Sequence, residues 1–150
     1  MDITFAPHGI LQIDDAMIIY RNFAGVGSKF NREGDRNFSV LIENEDDADA
    51  LIEAGWNVKI KKDEEGNVIR MHLPVKIKCS DRGPNVYLRT GSRVNELDEE
   101  SMECLDHIDI LGADLDIRPY DWEVNGKTGR TAYLQGIRVT QKVDRFAEDM

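Results

Sequence analysis

A hairpin signal in the last third of the chain, residues 114–139, constrains the fold more than any other feature. Two β-rich runs flank the segment Asn-Gly-Lys-Thr-Gly at residues 125–129, and an Asn-Gly pair followed by a second glycine favours a tight turn between antiparallel strands. Because alternate residues of a strand point to opposite faces, Leu115 and Ile117 share the face toward the core. The opposite face carries one base and two large aromatic side chains, Arg118, Tyr120 and Trp122. The sequence therefore predicts a hairpin with an apolar inner face and an aromatic, basic outer face.

The size and composition of the chain fit one domain. It has 150 residues, 41 % hydrophobic and 32 % charged, which is enough to bury a core without disulfides or metal. No apolar run approaches the roughly 20 residues that span a bilayer, and the first residues do not resemble a secretion signal. Two cysteines, Cys79 and Cys104, have no framework spacing and are expected to be reduced thiols. We therefore expect a cytoplasmic protein with no membrane partner.

The net charge of −10 is concentrated in two stretches. Residues 43–53 contain six acids and residues 96–109 contain seven, and neither stretch contains a base. Outside these stretches, 16 acids remain against all 19 bases, so the rest of the chain is mildly basic. Since the distribution of charge matters more than its sum, the acidity does not exclude an anionic partner.

The remaining pattern predicts short strands and two short acidic helices. The first helix is expected over residues 45–54, with acids in its first turn and Gly55 at its end, and the second over residues 98–105. The strands are expected over residues 9–14 and 16–23 (two strands or one bent strand), 36–42, 56–61, 71–78 and 85–90. This order indicates a barrel or a sandwich over residues 1–143, followed by a short acidic tail of residues 144–150.

The same alternation in three other strands places further lysine and arginine side chains, and one more aromatic side chain, on the outer face of the sheet. The outward residues are Lys59, Lys61, Lys76, Lys78, Tyr87 and Arg89, whereas Trp56 shares the inner face with Val58 and Ile60. Single-stranded nucleic acid needs cations for its phosphates and exposed rings for its unstacked bases. The alternative is that the bases keep strand edges from aggregating while the aromatic rings pack under loops.

A glycine-rich loop and the last turn supply further candidates. In the segment of residues 24–36, Phe30 is a candidate for base stacking, and Lys29, Arg32 and Arg36 are candidates for phosphate contacts. The loop lacks the Gly-Lys-Ser/Thr ending of a nucleotide-hydrolysing P-loop, and a plain flexible hairpin loop explains it equally well. Lys127 and Arg130, at the last turn, are candidates to clamp one rim of the site.

The sequence offers no catalytic or metal site. The three histidines are far apart and have no ligand spacing with the two cysteines, and no nucleophile elbow, HExxH or CxxC motif is present. Asp114 and Asp116 alternate on a strand, which is typical of a solvated face. We therefore expect a non-catalytic protein without metal or cofactor.

Three blocks of the sequence resemble phage- and prophage-encoded proteins of Gram-positive bacteria. They are residues 5–15 (FAPHGILQIDD), residues 30–38 (FNREGDRNF) and residues 116–134. The last block also resembles phage single-stranded-DNA-binding proteins with the oligonucleotide/oligosaccharide-binding (OB) fold. The resemblance implies a mainly β, OB-like barrel of short antiparallel strands, a role in phage replication or recombination, and an acidic tail that recruits partner enzymes. The tail here is shorter and less acidic than usual.

The sequence thus predicts a protein that binds single-stranded DNA with little sequence preference. Its site is expected on the outward lysine, arginine and aromatic side chains. A homo-oligomer is compatible with the sequence. The alternative is a phage anti-defence inhibitor, whose acidic helices mimic DNA and occupy a host nuclease or CRISPR effector. A virion or assembly protein without a nucleic-acid site is a third hypothesis.

Overall fold

Nine strands, one α-helix and two 3₁₀ helices make up residues 1–143, the part of the chain that the computed structural model describes. The α-helix is α1 (Glu45–Glu53), and the 3₁₀ helices are Pro7–Gly9 and Met102–Asp106. The strands are β1 (Asp2–Phe5), β2 (Leu11–Asn22), β3 (Arg36–Ile42), β4 (Lys59–Lys62), β5 (Val68–Ile77), β6 (Asn85–Thr90), β7 (Arg93–Leu97), β8 (Ile110–Val124) and β9 (Lys127–Gln141). The predicted tail of residues 144–150 lies outside the described residues.

Five of these strands close into a barrel. Antiparallel pairs join β5 to β3, β3 to β2, β2 to β8 and β8 to β9, and a parallel bridge from Lys76 to Tyr133 joins β9 back to β5. The other strands extend this ring, since β4 pairs with β5, β6 and β7 follow β9, and β1 pairs with β2. The predicted mainly β, OB-like barrel is confirmed.

The barrel is filled by the inward residues of the alternating pattern. Leu73 and Val75 on β5 and Ile117 on β8 are fully buried, as the sequence predicted for these strands. Phe23 and Phe38 stack with ring centroids 5.3 Å apart and planes 8° from parallel, where β2 ends and β3 begins. Trp56 is 5 % exposed, which confirms its predicted place in the core.

The two predicted acidic helices differ in outcome. The first forms as α1, capped by the Asn44 side chain, which accepts a hydrogen bond of 2.7 Å from the amide of Asp46. The second prediction is wrong, because residues 98–105 form a turn that leads into a short 3₁₀ helix. The Asp98 carboxylate accepts hydrogen bonds from the amides of Glu100 and Ser101 and from the Ser101 hydroxyl, which favours a turn over an α-helix.

Other boundaries also differ from the sequence prediction. Residues 11–22 form one strand, β2, bent at Asp15 and Tyr20, where the backbone has φ of 53°. β1 and β7 were not predicted, and β4 begins only at Lys59, so Trp56 is buried without lying in a strand. Within the described part of the chain, no helix is long and apolar enough to cross a membrane.

Candidate nucleic-acid interface

Two adjoining hollows that share Pro74 and Lys76 form a groove over the outer face of β3 and β5, which runs from the loop that joins β2 to β3 to the β8–β9 hairpin at Trp122. OB-fold barrels bind oligonucleotides on the corresponding pair of strands and on the two loops that flank it. The part of the groove next to the β2–β3 loop encloses about 780 Å³, and its lining includes Phe30, Arg32, Arg36, Lys76, Lys78 and Tyr133. The structure therefore brings predicted residues of the loop and of β5 into one concave surface.

Tyr133 joins this groove to the outer face of the hairpin. It pairs with Lys76 across the barrel closure and with Arg118 across the hairpin, so the three side chains share one face. The Arg118 guanidinium lies 5.1 Å from the centre of the Tyr133 ring, and the Tyr120 ring meets the Tyr133 ring edge-on with centroids 6.1 Å apart. The aromatic face of the hairpin is thus continuous with the cations of β5.

Sequence reasoning missed Tyr133, although a signal was present. Counting outward from the turn at Asn125 and Gly126 pairs Val124 with Lys127 and, six steps further, Arg118 with Tyr133. Sorting the second hairpin strand by this register would have placed Tyr133 on the outer face.

The loop that carries Phe30 is held by hydrogen bonds. The Asn31 side-chain amide donates to the carbonyls of Val26 and Asp35, and its oxygen accepts from the Asn37 side chain. Phe30 is left 93 % exposed at the edge of the groove, with the Lys29 ammonium 5.9 Å from its ring centre. An exposed phenyl ring on a braced loop, beside cations, can stack on a base at little entropic cost.

Arg36 and Arg130 are engaged within the protein. Arg36 donates to the carbonyls of Phe23 (2.9 Å) and Glu99 (2.8 Å), and its guanidinium lies 3.9 Å from the Glu99 carboxylate. Arg130 lies on the hairpin face opposite Trp122, where it donates to the Asp121 carboxylate (2.6 Å) and the Ala54 carbonyl (2.8 Å) and stacks on the buried Trp56 ring. Both arginines therefore hold the walls of the groove in place, whereas Lys127 stays exposed at the hairpin turn.

Trp122 lies over Gly129 on the outer face of the hairpin. The two residues are paired in the β8–β9 register, and the Trp122 ring occupies the space that a Cβ at position 129 would need. Trp122 also borders a hollow lined by Asn57, Pro74 and Lys76. The absence of a side chain at Gly129 therefore allows the Trp122 ring to occupy this position.

We expect Gly129→Ala to displace the Trp122 ring and to weaken DNA binding by up to the value of one stacked base, about 1–3 kcal/mol. The added methyl group overlaps the ring, while the backbone at Gly129 does not have a positive φ. Trp122 emission and oligo-dT affinity measure the effect. Thr128→Ala, an exposed neighbour, serves as control, and unchanged emission and affinity in Gly129→Ala would contradict this role of the glycine.

The predicted residues on β6 lie apart from the groove. Tyr87 and Arg89 pair with Arg138 and Thr140, at the far end of β9 from Tyr133. Arg138 is five residues beyond Tyr133, on the order of 16 Å along a strand. The structure therefore does not bring Tyr87 and Arg89 together with the groove residues.

Two carboxylates, Asp114 and Asp116, lie on β8, on the other side of β9 from the strand that carries Tyr87 and Arg89. Arg138 donates to Asp114 at 2.7 Å. Burial alone would raise the pKa of Asp114, but hydrogen bonds from the Asp15 amide and from Arg138 hold that pKa below its usual value. Burial, helped by the nearby Asp14 carboxylate, raises the pKa of Asp116. This surface is less suited to phosphates than the groove is.

The barrel and its flanking groove define an oligonucleotide-binding type of domain. The model of the family described as "Putative phage ssDNA-binding domain" matches residues 3–149. The chain therefore belongs to this family, which confirms the resemblance to phage single-stranded-DNA-binding proteins and the predicted binding of single-stranded DNA. The host group stays a prediction.

Solved structures show the same fold. The single-stranded DNA-binding protein from bacteriophage Enc34 is 15 % identical to the chain, with a TM-score of 0.58 and coverage of 96 % of this chain and 87 % of that one. Its C-terminal truncation gives a TM-score of 0.58 with 93 % and 90 % covered, and its complex with ssDNA gives 0.56 with 96 % and 93 % covered, both at 15 % identity. No curated protein matches the chain. None of these comparisons supports the anti-defence alternative.

Proposed function

We propose that residues 1–143 bind single-stranded DNA along the groove and the outer face of the hairpin, with little sequence preference and without catalysis. The observation that carries this proposal is the junction at Tyr133, which makes the cations of β5 and the rings of the hairpin one surface. Phage replication or recombination, in the cytoplasm of the infected cell, is the setting in which such a protein would meet single-stranded DNA.

The side chains divide into two roles. Phe30, Tyr120 and Trp122 present exposed rings to the DNA bases, and the Tyr133 ring packs edge-on against the Tyr120 ring. The DNA phosphates would contact the basic side chains that line the groove and its edges, which are Lys29, Arg32, Lys76, Lys78, Arg118 and Lys127. Stacking and phosphate contacts do not read base edges, so this mode gives low sequence specificity.

The remaining predicted residues do not contact DNA in the groove. Arg36 and Arg130 position the loop and the hairpin through Glu99 and Asp121. Lys59 and Lys61 lie beyond the groove on β4, paired with β5. Tyr87 and Arg89 make no contact in this mode, because they lie at the far end of β9 and the nearby Asp114 carboxylate would repel phosphates.

The direct test is titration of a labelled oligo-dT with the folded protein at low and moderate salt. We expect binding at low salt that weakens as salt rises, because each phosphate contact releases counterions. Absence of binding at low salt, with the protein folded, would refute the proposal.

We expect Lys76→Gln to lower the slope of log affinity against log salt by about 0.7, the value for one phosphate contact on a single strand. Lys76 is exposed on the groove side of β5, and no carboxylate lies within 4.0 Å of its ammonium among the residues described. The same titration of Lys142→Gln, an exposed lysine after β9, is the control. Equal slopes for Lys76→Gln and the wild type would show that Lys76 contacts no phosphate.

Partner recruitment through residues 144–150, and self-association, also belong to this proposal. The tail carries acids around Phe146, and the resemblance implies that such a tail docks on replication or recombination enzymes. Co-purification from infected cells, with and without residues 144–150, would show whether the tail recruits them.

A further inference from the structure

A second aromatic and basic cluster lies on the outer face of the barrel, next to the groove. We call it the Tyr20 cluster, and it consists of Tyr20, Arg70 and His72 with Lys59 and Lys61. Tyr20 lies where the β2–β3 register is irregular, between Ile19 and Asn22, and its φ of 53° is uncommon for a residue other than glycine. This bend directs the Tyr20 side chain across β3 toward β5.

Three contacts hold the Tyr20 ring in place. Arg70 donates a hydrogen bond of 2.6 Å to the Tyr20 hydroxyl, and its guanidinium lies 5.6 Å from the ring centre. The His72 ring meets the Tyr20 ring edge-on, with centroids 5.3 Å apart, and His72 Nδ1 lies 3.0 Å from the hydroxyl of the buried Ser39. The Tyr20 side chain is nevertheless 53 % exposed, so a supported ring is presented to solvent.

The surroundings of the ring are positively charged. Lys59 pairs with His72, and Lys61 pairs with Arg70, so two ammonium groups and one guanidinium lie beside the Tyr20 and His72 rings. Burial lowers the pKa of His72, and the charges of Arg70 and Lys59 lower it further. His72 therefore supports the ring as a neutral group at neutral pH.

The cluster continues the groove along β5. His72, Pro74 and Lys76 are alternate residues of that strand and share its outer face. Lys76 lies at the barrel closure beside Tyr133, and His72 lies four residues away, roughly 13 Å along the strand. A strand of DNA that leaves the groove over Pro74 would reach the Tyr20 ring next.

We propose that the Tyr20 cluster is a second subsite for single-stranded DNA, with a base stacked on Tyr20 and phosphates on Lys59, Lys61 and Arg70. Only strands long enough to extend beyond the groove occupy it. This inference rests on the proposed function, and it adds to that function a determinant of how many nucleotides one domain covers.

The test compares the wild type with Tyr20→Ala on oligo-dT of increasing length, from about 4 to 16 nucleotides, the range of site sizes for OB folds. Short oligonucleotides that fill only the groove are expected to bind both proteins equally. Long ones are expected to bind Tyr20→Ala about 5- to 150-fold more weakly, the value of one stacked base. Tyr20→Phe, which keeps the ring, is expected to bind like the wild type.

Phe5→Ala is a matched control, because Phe5 is also 53 % exposed but lies on β1, outside the groove and the cluster. Should Tyr20→Ala unfold, the double variant Lys59→Gln, Lys61→Gln is expected to give the same dependence on length. An equal loss at every length, or no loss at any length, would overturn the second subsite. A wild type that binds no oligo-dT would instead refute the proposed function.

Discussion

Replacing Tyr120 and Trp122 together by Ala is expected to weaken oligo-dT binding by about 2–6 kcal/mol, roughly 30-fold to 25,000-fold. Each ring is worth about 1–3 kcal/mol if it stacks on one base. Tyr120 and Trp122 are 54 % and 38 % exposed, so their removal should change the free energy of unfolding little. Both rings lie on the face that Tyr133 connects to Lys76. We therefore expect the affinity lost with the two rings to exceed the affinity lost with any single lysine or arginine.

Anisotropy of a labelled oligonucleotide measures this loss, since the remaining tryptophan, Trp56, is buried and would report poorly. Tyr87→Ala removes an aromatic ring that lies outside the groove, and it should change the affinity by less than about threefold. If the double variant also lost less than roughly threefold in affinity, the stacking surface would have to lie elsewhere in the protein.

Phe38→Ala is expected to lower the free energy of unfolding by about 3–5 kcal/mol, the usual cost of removing a buried phenyl ring. Phe38 is 1 % exposed and stacks on Phe23, and the two rings pack in the core at the base of the loop that carries Phe30. Urea denaturation followed by circular dichroism measures this change.

Phe30→Ala provides the opposite case at the same loop. Its ring is almost fully exposed, so the free energy of unfolding should change by no more than about 0.5 kcal/mol. Oligo-dT affinity should nevertheless fall by the value of one stacked base. A Phe30→Ala protein that was strongly destabilised, or a Phe38→Ala protein as stable as the wild type, would contradict this division between stacking ring and core.

The period of two in a strand explains what the sequence could predict. Leu73 and Val75 had to be buried and Lys76 exposed once β5 was recognised, because covalent geometry alternates the side chains. The hairpin turn could also be predicted from the sequence, since Asn125 and Gly126 both adopt the positive φ that such turns require. These local rules predicted the main β-strands of the barrel, and they supplied most residues of the candidate site.

The rest depended on contacts between distant segments. The parallel bridge between Lys76 and Tyr133 exists only because the barrel closes, and no pattern within either strand indicates it. Long-range partners likewise engage Arg36 and Arg130, which looked free in the sequence. The position of Tyr20 follows from one backbone bend, which strand alternation does not predict.

The acids of residues 96–109 were misread for a similar reason. A run of carboxylates looked like a solvated helix face, but the Asp106 carboxylate accepts hydrogen bonds from the amides of Phe23 and Ala24, and the Glu99 carboxylate lies 3.9 Å from the Arg36 guanidinium. These groups stabilise the base of the Phe30 loop, so they are only partly available to imitate DNA phosphates.

The most direct test of the central claim is a titration of ¹⁵N-labelled protein with oligo-dT, followed by amide chemical shifts at low salt. We expect the largest changes at Phe30, Lys76, Tyr120 and Tyr133, and almost none in α1 (Glu45–Glu53). Changes confined to α1 or to β6 and β7, with the groove amides unmoved, would contradict the proposed path of the DNA.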